Sequence, residues 1–230
     1  RPLRAPSLHS LSWCFRLAAL VLSSAFNVAP NALSFVEAAS VAPEKLRDYI
    51  ERFLHIVRGH HTSAGVYAHA SVGCLHVRPV VDLHNAGDRK KFRQIADEAS
   101  ALVKQFKGSL SAEHGVGIAR TAYMRTQLGD ELLGLMRDIK RIFDPPGRMN
   151  PGKIFDTGAC PIDSHLRKNF DEPLALPFEP RLAFAFKDGS FIGNLEQCNG
   201  CGGCLKDAPT MCPTFLATGE EIMSTRGRAN

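Results

Sequence analysis

Apolar residues recur at helical spacing in three stretches of the chain, near residues 46–57, 88–106 and 130–143. In the first stretch they fall at i, i+3, i+4, i+7, i+8 and i+11, with Pro43 near the first turn. Gly108 follows the second stretch where a C-terminal cap is expected, and Asp144-Pro-Pro-Gly147 ends the third. Because each helix must bury its apolar face, six residues are expected in a common core. They are Phe53, Phe92, Ile95, Leu102, Val103 and Ile139.

Two runs with strand character, residues 63–70 and 74–80, lie between the first two predicted helices. They flank a turn at Ser71-Val72-Gly73, and another short strand is expected to run toward Glu113. The order helix–strand–strand–helix–strand–helix predicts an α+β fold. In such a fold the helices pack on one face of a mostly antiparallel sheet.

The stretch at residues 157–190 is rich in proline and charge, which indicates a linker. We therefore expect one domain at residues 35–156 and the start of a second, helical domain at residues 191–230. Residues 1–34 are unassigned. Three arginines there precede an apolar run at residues 17–26. This run is shorter than the roughly twenty residues that a membrane span needs. A mis-assigned or truncated start is the preferred explanation, and a targeting segment is the alternative.

The composition, 44% hydrophobic and 22% charged, is ordinary for a globular protein, so the charges decide little about fold. The net charge is +5, and the basic residues are scattered among acidic ones. Aromatic residues do not interleave with them into a stacking surface. Nucleic-acid binding is therefore not expected.

Four of the seven cysteines lie within fifteen positions, in the spacing C-x2-C-x2-C-x7-C-P. Cys198, Cys201 and Cys204 stand at two-residue gaps, which allows one glycine-rich loop to bind three corners of a 4Fe–4S cubane. Cys212 is expected to serve a second cluster, as the fourth cysteine does in two-cluster ferredoxins. A structural zinc site is the alternative, although zinc thiolates usually come as separated pairs. Either site requires a reducing compartment, most simply the cytoplasm.

A second candidate site lies on the predicted hairpin, where His69 and His76 flank the turn. This placement brings both imidazoles to one side of the hairpin, and Glu113 would complete three ligands around a metal with an open position. His114, next to that carboxylate, would act as a general base. On the residues alone, ordinary polar roles for these histidines compete with this interpretation. Arg78 either holds a substrate carboxylate or forms a structural ion pair.

Three further motifs follow one another along the chain. They are Ser111-Ala-Glu-His-Gly-Val-Gly117, Ile139-Lys-Arg-Ile-Phe-Asp-Pro145 and Met149-Asn-Pro-Gly-Lys-Ile-Phe155. Their order and spacing resemble the C-terminal domain of FAD-linked oxidases, a family that includes D-lactate dehydrogenases, the glycolate oxidase flavin subunit and D-2-hydroxyglutarate dehydrogenase. The cysteine segment (residues 198–212), followed by Ser224-Thr-Arg-Gly-Arg-Ala-Asn230, resembles the large bacterial members that fuse this flavoprotein to a ferredoxin-like domain. The resemblance covers residues 35–230, and the preceding segment does not resemble the family.

The resemblance implies a divalent cation, Zn or Mn, on His69, His76 and Glu113, with His114 as the catalytic histidine. It also implies FAD, held mainly by an N-terminal domain that this sequence lacks, and it places Asn150 among the cofactor-binding residues. In the common family motif Gly-Asp-Gly-Asn stands between the histidine ligands. This chain has Ala-Ser-Val-Gly-Cys-Leu there, the variant of the fused members.

The implied enzyme oxidises a D-2-hydroxy acid of the lactate, glycolate or 2-hydroxyglutarate class to the 2-oxo acid. Arg78 and the metal would hold the hydroxy acid, and electrons would pass from FAD to the iron–sulfur clusters. The acceptor is expected to be a quinone, a cytochrome or another redox protein, in the cytoplasm or at a membrane surface. The chain alone is expected to be an inactive fragment. The alternative is a non-enzymatic iron–sulfur electron-transfer subunit that docks a separate flavoprotein.

Overall fold

The computed structural model describes residues 31–155, 157–158, 161–164, 166, 176–179, 190–198, 200–206 and 212–229. The chain divides into two compact units, of which one ends at Leu166 and the other begins at Arg167. This division falls inside the stretch where a linker is predicted. The apolar run at residues 17–26 lies outside the described residues. None of the described helices is long and apolar enough to cross a membrane.

In the described part of the first unit, four short strands form an antiparallel sheet, as the α+β prediction requires. The central strand is β4 (Cys74–Val81), which pairs along most of its length with β3 (Ala64–His69). Two further strands, β1 (Asn31–Ala32) and β2 (Ala39–Ser40), pair with the two ends of β4. The predicted pair of strands around a turn is therefore confirmed.

The turn between β3 and β4 depends on one glycine. Gly73 follows the 3₁₀ turn Ala70–Val72 with φ +68°, and a Cβ at this position would lie 1.8 Å from Val41 O. Only glycine combines this backbone angle with so close an approach. The backbone of Val41 in turn donates a hydrogen bond to Gly73 O, which joins the turn to the segment after β2.

The prediction of a short strand running toward Glu113 is wrong for the residues that the structure describes. Only an isolated bridge between Ser40 and Ser109 forms there, followed by a bond from Ala112 N to Ala38 O. A Cβ on Gly108 would lie 2.2 Å from Ser40 O, so this glycine serves the close approach of two backbones. The left-handed residue after the preceding helix is Lys107, with φ +54°, and not the predicted cap Gly108.

The described part of the first unit contains five α-helices. They are α1 (Leu46–Gly59), α2 (Ala86–Gln105), α3 (Gly117–Thr121), α4 (Met124–Leu128) and α5 (Asp130–Phe143). The 3₁₀ turn Pro43–Lys45 precedes α1, and the Asn85 side chain caps α2 by accepting from the amides of Gly87 and Asp88. The three helices predicted from apolar spacing are confirmed, whereas the two short ones carry no such signal.

Helices α1 and α2 pack on one face of the sheet. Their apolar residues form a cluster with the inward residues of β4, and burial of each such side chain stabilises the fold by about 1.5–3 kcal/mol. The cluster contains Tyr49, Phe53, Val57, Leu75, Val77, Ala99, Leu102 and Val103. Phe92 and Ile95 lie in a second cluster with Phe35 and Val81.

Five of the six predicted core residues are buried, but the prediction for Ile139 is wrong. Ile139 is 58% exposed, because α5 buries Leu133 and turns its main apolar stripe outward. The stripe consists of Leu132, Leu135, Ile139, Ile142 and Phe143. Periodicity identifies the apolar face of a helix, but it does not say which neighbour covers that face.

The second unit consists, in its described residues, of short helices around the cysteines. They are α6 (Phe191–Glu196), α7 (Pro213–Thr218) and α8 (Thr225–Ala229), with 3₁₀ turns at Gly203–Leu205 and Glu221–Met223. Helix α8 packs closely on the second of these turns, since a Cβ on Gly227 would lie 2.0 Å from Glu221 O. The helical character predicted for this region is present.

Candidate functional site

The register of the hairpin places polar side chains on one face of the sheet. His69 lies opposite Cys74, Tyr67 opposite His76, and Gly65 opposite Arg78. Directly opposed residues of an antiparallel pair share a face. The alternate residues of β4 face the helices, so the central strand is covered on both sides. We call this polar layer, on the face away from the helices, together with the Glu113 and His114 side chains that approach it, the hairpin site.

Three side chains of the hairpin site converge as predicted ligands should. Glu113 brings Oε1 within 3.3 Å of His69 Nε2 and Oε2 within 3.5 Å of His76 Nε2. One ligand atom from each of the three residues lies within 4.8 Å of the others. Ligands of a tetrahedral ion with bonds of about 2.0–2.1 Å stand roughly 3.3–3.4 Å apart. Two imidazoles and a carboxylate therefore fit a divalent cation such as Zn²⁺ or Mn²⁺.

His114 lies beside this group and is accessible. Its Nε2 is 3.9 Å from Glu113 Oε2, and its ring centroid is 5.4 Å from that of His76. His114 and Glu113 are each 42% exposed, whereas His76 is only 2% exposed. His76 is thus the buried histidine of the site, whereas His114 is the exposed one that a small molecule can reach. The assignment of these four residues to metal and proton chemistry stays a prediction.

A buried carboxylate that the sequence analysis missed lies behind His76. Oε1 of Glu37 accepts hydrogen bonds from His76 Nδ1 at 3.1 Å, from Arg78 Nη2 at 2.9 Å and Nε at 3.1 Å, and from the Tyr67 hydroxyl. Glu37 is 1% exposed. One signal could have found it, because it is the only charged residue between Asn31 and Pro43 and stands in an apolar segment.

Glu37 is held as a carboxylate in spite of its burial. Burial alone would raise the pKa of Glu37, but hydrogen bonds from Tyr67 and Arg78 and the charge of Arg78 lower it below its ordinary value. Burial lowers the pKa of His76, and the Glu37 charge opposes this only in part. The Tyr67 ring stacks on His76 with centroids 4.3 Å apart, and burial together with Glu37 raises the pKa of Tyr67 to about 12. The lowered pKa favours the neutral form of the His76 imidazole.

Arg120, also missed from the sequence, joins the two loops that carry the carboxylates. Its guanidinium donates to Glu37 O on one side and to Leu110 O and Gly115 O on the other. Arg120 is 7% exposed, and burial lowers its pKa. Next to Glu37, the fully buried Ala38 adopts a left-handed φ of +62°. Such a conformation costs a non-glycine residue about 1–2 kcal/mol, so the surrounding contacts must enforce it.

The remaining predicted residues of the first unit lie in defined environments. Arg78 directs Nε and Nη2 at Glu37, so its predicted role in substrate binding would have to coexist with this ion pair. Cys74 lies 3.7 Å from His76 Nε2 and is buried, and burial with the nearby Glu113 raises its pKa. Asn150 is exposed in a turn with φ +46°. The Asp144 carboxylate organises that turn by accepting from the amides of Arg148 and Met149.

The four cysteines of the second unit form no disulfide among the described residues, and the sulfurs of Cys201 and Cys204 accept hydrogen bonds from backbone amides. Cys201 Sγ accepts from Gly203 N, and Cys204 Sγ accepts from Arg226 N at 3.4 Å. Cys212 is 2% exposed. The Thr214 hydroxyl lies 3.2 Å from Cys212 Sγ and, together with nearby backbone amides, lowers the pKa of this thiol to about 7. Such donors stabilise thiolates and tune cluster ligands.

Comparison with known proteins extends these observations. Residues 12–154 match the family described as FAD linked oxidases, C-terminal domain, so the match begins before the predicted boundary at Phe35. The chain is 37% identical to D-2-hydroxyglutarate dehydrogenase from Pantoea ananatis over 204 residues, which are 86% of this chain and 19% of that protein. It is 34% identical to D-2-hydroxyglutarate dehydrogenase from Escherichia coli, over 87% of this chain and 19% of that protein.

A third relative is aligned over nearly the whole chain. The D-2-hydroxyglutarate dehydrogenase from Haemophilus influenzae is 34% identical over 227 residues, which are 97% of this chain and 21% of that protein. That alignment necessarily runs through the cysteine segment. The chain spans about a fifth of the length of these relatives. By the match over residues 12–154, the chain belongs to the FAD-linked oxidase family and contains its C-terminal domain.

Proposed function

We propose that the complete protein is an FAD-dependent dehydrogenase that oxidises D-2-hydroxyglutarate, or a closely similar D-2-hydroxy acid, to the 2-oxo acid. The observation that carries this proposal is the convergence of His69, His76 and Glu113 on one face of the hairpin with His114 beside them. The names of the three relatives favour 2-hydroxyglutarate over lactate and glycolate.

Each residue of the hairpin site receives a separate task in this proposal. His69, His76 and Glu113 would hold a divalent cation, which when bound supplies a Lewis acid for the hydroxyl and carboxylate oxygens of the substrate. His114 accepts the hydroxyl proton at an imidazole nitrogen, which its exposure permits. FAD, when bound, supplies the acceptor for the hydride from the substrate carbon. One proton and one hydride leave the hydroxy acid, which balances its conversion to the 2-oxo acid.

The cysteine segment is proposed to carry the electrons away one at a time through iron–sulfur clusters. The spacing of Cys198, Cys201 and Cys204 supports one 4Fe–4S cluster, and hydrogen bonds to the sulfurs supply the donors that such ligands need. Cys212 is assigned to a second cluster. Its burial and its lowered pKa support a role as a thiolate ligand. The final acceptor is proposed to be a quinone, a cytochrome or another redox protein.

The test uses the purified full-length gene product with an artificial electron acceptor. We expect bound FAD and oxidation of D-2-hydroxyglutarate in preference to the L-isomer, D-lactate and glycolate. His114→Gln should lower kcat by about 10²–10⁴-fold without changing the FAD content, because it removes the general base. His55→Gln, which alters an exposed histidine of α1, is the matched control and should leave kcat unchanged.

Two results would contradict the proposal. A full-length product without flavin or dehydrogenase activity, but with iron, would favour the electron-transfer subunit. A His114→Gln variant within a few-fold of the unaltered enzyme would remove His114 from the reaction.

A further inference from the structure

We propose that Glu37 is the positioning residue of the hairpin site. Its buried carboxylate fixes the ring orientation and the tautomer of His76, so that Nε2 is presented to the cation. This inference rests on the proposed metal site and adds to it a residue distant in sequence from all three predicted ligands.

The hydrogen bonds around His76 assign the tautomer. Glu37 Oε1 lies 3.1 Å from His76 Nδ1 and accepts from Arg78 and Tyr67 as well. An oxygen surrounded by donors leaves Nδ1 only the role of a donor, so Nδ1 carries a proton and Nε2 is the nitrogen that can offer a lone pair. The lone pair of Nε2 then points toward Glu113, 3.5 Å away, where the cation is proposed. Metal-bound histidines commonly donate their other ring N–H to a carboxylate in this way.

Glu37 is not proposed as a ligand, although one arrangement would allow it. Glu37, His76 and His114 also offer ligand atoms within 4.8 Å of one another. A cation at that place would lie against the Arg78 guanidinium, which is 2.9 Å from Glu37 Oε1. If that cation bound through Nδ1 of His76, it would also displace the bond from Nδ1 to Glu37. Repulsion between the cation and the Arg78 guanidinium, and the hydrogen bonds that Glu37 already accepts, therefore disfavour this position. The cation is proposed instead at the group of His69, His76 and Glu113.

The backbone around Glu37 is held by hydrogen bonds in addition to the ion pair between the Glu37 side chain and Arg78. Arg120 donates to Glu37 O, and Ala112 N donates to Ala38 O at 2.7 Å. Ala38 is kept in a left-handed conformation that alanine rarely adopts. These contacts bind the segment of Glu37 to the loop of Glu113. The backbone segments that carry the two carboxylates on either side of His76 are thus joined to one another.

The experiment measures cation affinity directly on the full-length protein. The metal is removed and the apoprotein is titrated with Zn²⁺ in the presence of a competing chelator. Co²⁺ is used in parallel, with its visible spectrum as a report on ligand geometry. We expect Glu37→Gln to weaken Zn²⁺ affinity by about 10–100-fold and to alter the Co²⁺ spectrum.

Glu98→Gln is the matched control, because Glu98 of α2 also forms a carboxylate–imidazole bond, 2.7 Å long, to His60 directly after α1. It should leave both readouts unchanged. If Glu37→Gln fails to fold, Glu37→Asp keeps the charge beside Arg78 and draws the carboxylate back from His76. This variant should show a smaller loss of affinity, and cooperative thermal unfolding with retained FAD would verify its fold.

Three results would overturn the inference, and they can be told apart. Unchanged Zn²⁺ affinity in Glu37→Gln or in Glu37→Asp would mean that Glu37 does not position His76. Complete loss of binding in Glu37→Gln, with binding retained in Glu113→Gln, would make Glu37 the ligand. No Zn²⁺ or Co²⁺ binding by the unaltered apoprotein would remove the proposed metal site itself.

Discussion

The hairpin site and the cysteine segment reach their positions in opposite ways. The hairpin site joins residues far apart in sequence, since Glu37 and His76 are 39 positions apart and the second carboxylate comes from another loop. It lies against a strand that is covered on both faces. The cysteine segment brings its four thiols from fifteen neighbouring positions, on short helices and glycine turns. One site is assembled by the fold, whereas the other is contained in a local stretch of chain.

This difference bears on how each site would respond to losing the metal or cluster proposed for it. The hairpin side chains are held by hydrogen bonds and packing, so we expect their arrangement to persist when a cation is removed. The cysteine loop has left-handed glycines at Gly200 and Gly202, and Cys201 is exposed. Neither of the two apolar clusters of the described residues includes this loop, and the binding free energy of a metal group commonly supplies the order of such a segment. We therefore expect the hairpin site to be robust and the cysteine segment to depend on its cluster.

The largest expected effect is a separate loss of metal from each of the two sites. His69→Ala in the full-length protein should abolish the divalent cation and leave the iron content unchanged, because all three proposed ligands lie in the first unit. Cys204→Ser should do the reverse and remove about half of the roughly eight irons of two 4Fe–4S clusters. Elemental analysis with acid-labile sulfide measures both. Loss of iron in His69→Ala would contradict the independence of the two sites. Zinc in place of iron in the unaltered protein would contradict the proposed iron–sulfur clusters.

The next effect concerns the support beneath the hairpin. Phe53→Ala removes a side chain that is 1% exposed and packs in the cluster under β4, so the free energy of unfolding should fall by about 3–5 kcal/mol. Ile139→Ala is the matched change on the exposed stripe of α5 and should stay within about 0.5 kcal/mol. Urea unfolding of the 230-residue chain, followed by circular dichroism, measures both. Equal costs for the two variants would show that the stripe of α5 is covered.

The smallest effect tests the second unit. Gly227→Ala would place a Cβ 2.0 Å from Glu221 O and should push α8 away from its turn, at a cost of about 1–3 kcal/mol. This displacement would also move Arg226 N away from Cys204 Sγ. Gly134→Ala, in an open position within α5, is the control and should stabilise the chain by about 1 kcal/mol. Thermal unfolding and the rate of iron loss in air are the measurements. Faster iron loss in the control than in Gly227→Ala would be the contrary result.

Local patterns in the sequence predicted much of this architecture. The apolar spacing identified α1, α2 and α5, and the β3–β4 hairpin followed from alternation around a turn. His69 and His76 share a face because side chains on paired strands alternate with a fixed period of two. The cysteine spacing likewise points to its chemistry without any knowledge of the fold. These features depend on residues close together in the chain, where backbone geometry leaves few choices.

Contacts between distant segments decided the rest. Glu37 joined the site through hydrogen bonds to β3 and β4, and Arg120 reached the Glu37 backbone across 83 positions. No periodic signal marks either residue, since each is a single charged side chain in an otherwise uncharged stretch of the chain. The exposure of Ile139 and the left-handed conformation of Ala38 could not be predicted from the sequence either. By itself the sequence determined the local elements and the candidate ligands. Only the tertiary structure decided which carboxylate lies behind His76, because burial and pairing arise when separate segments pack together.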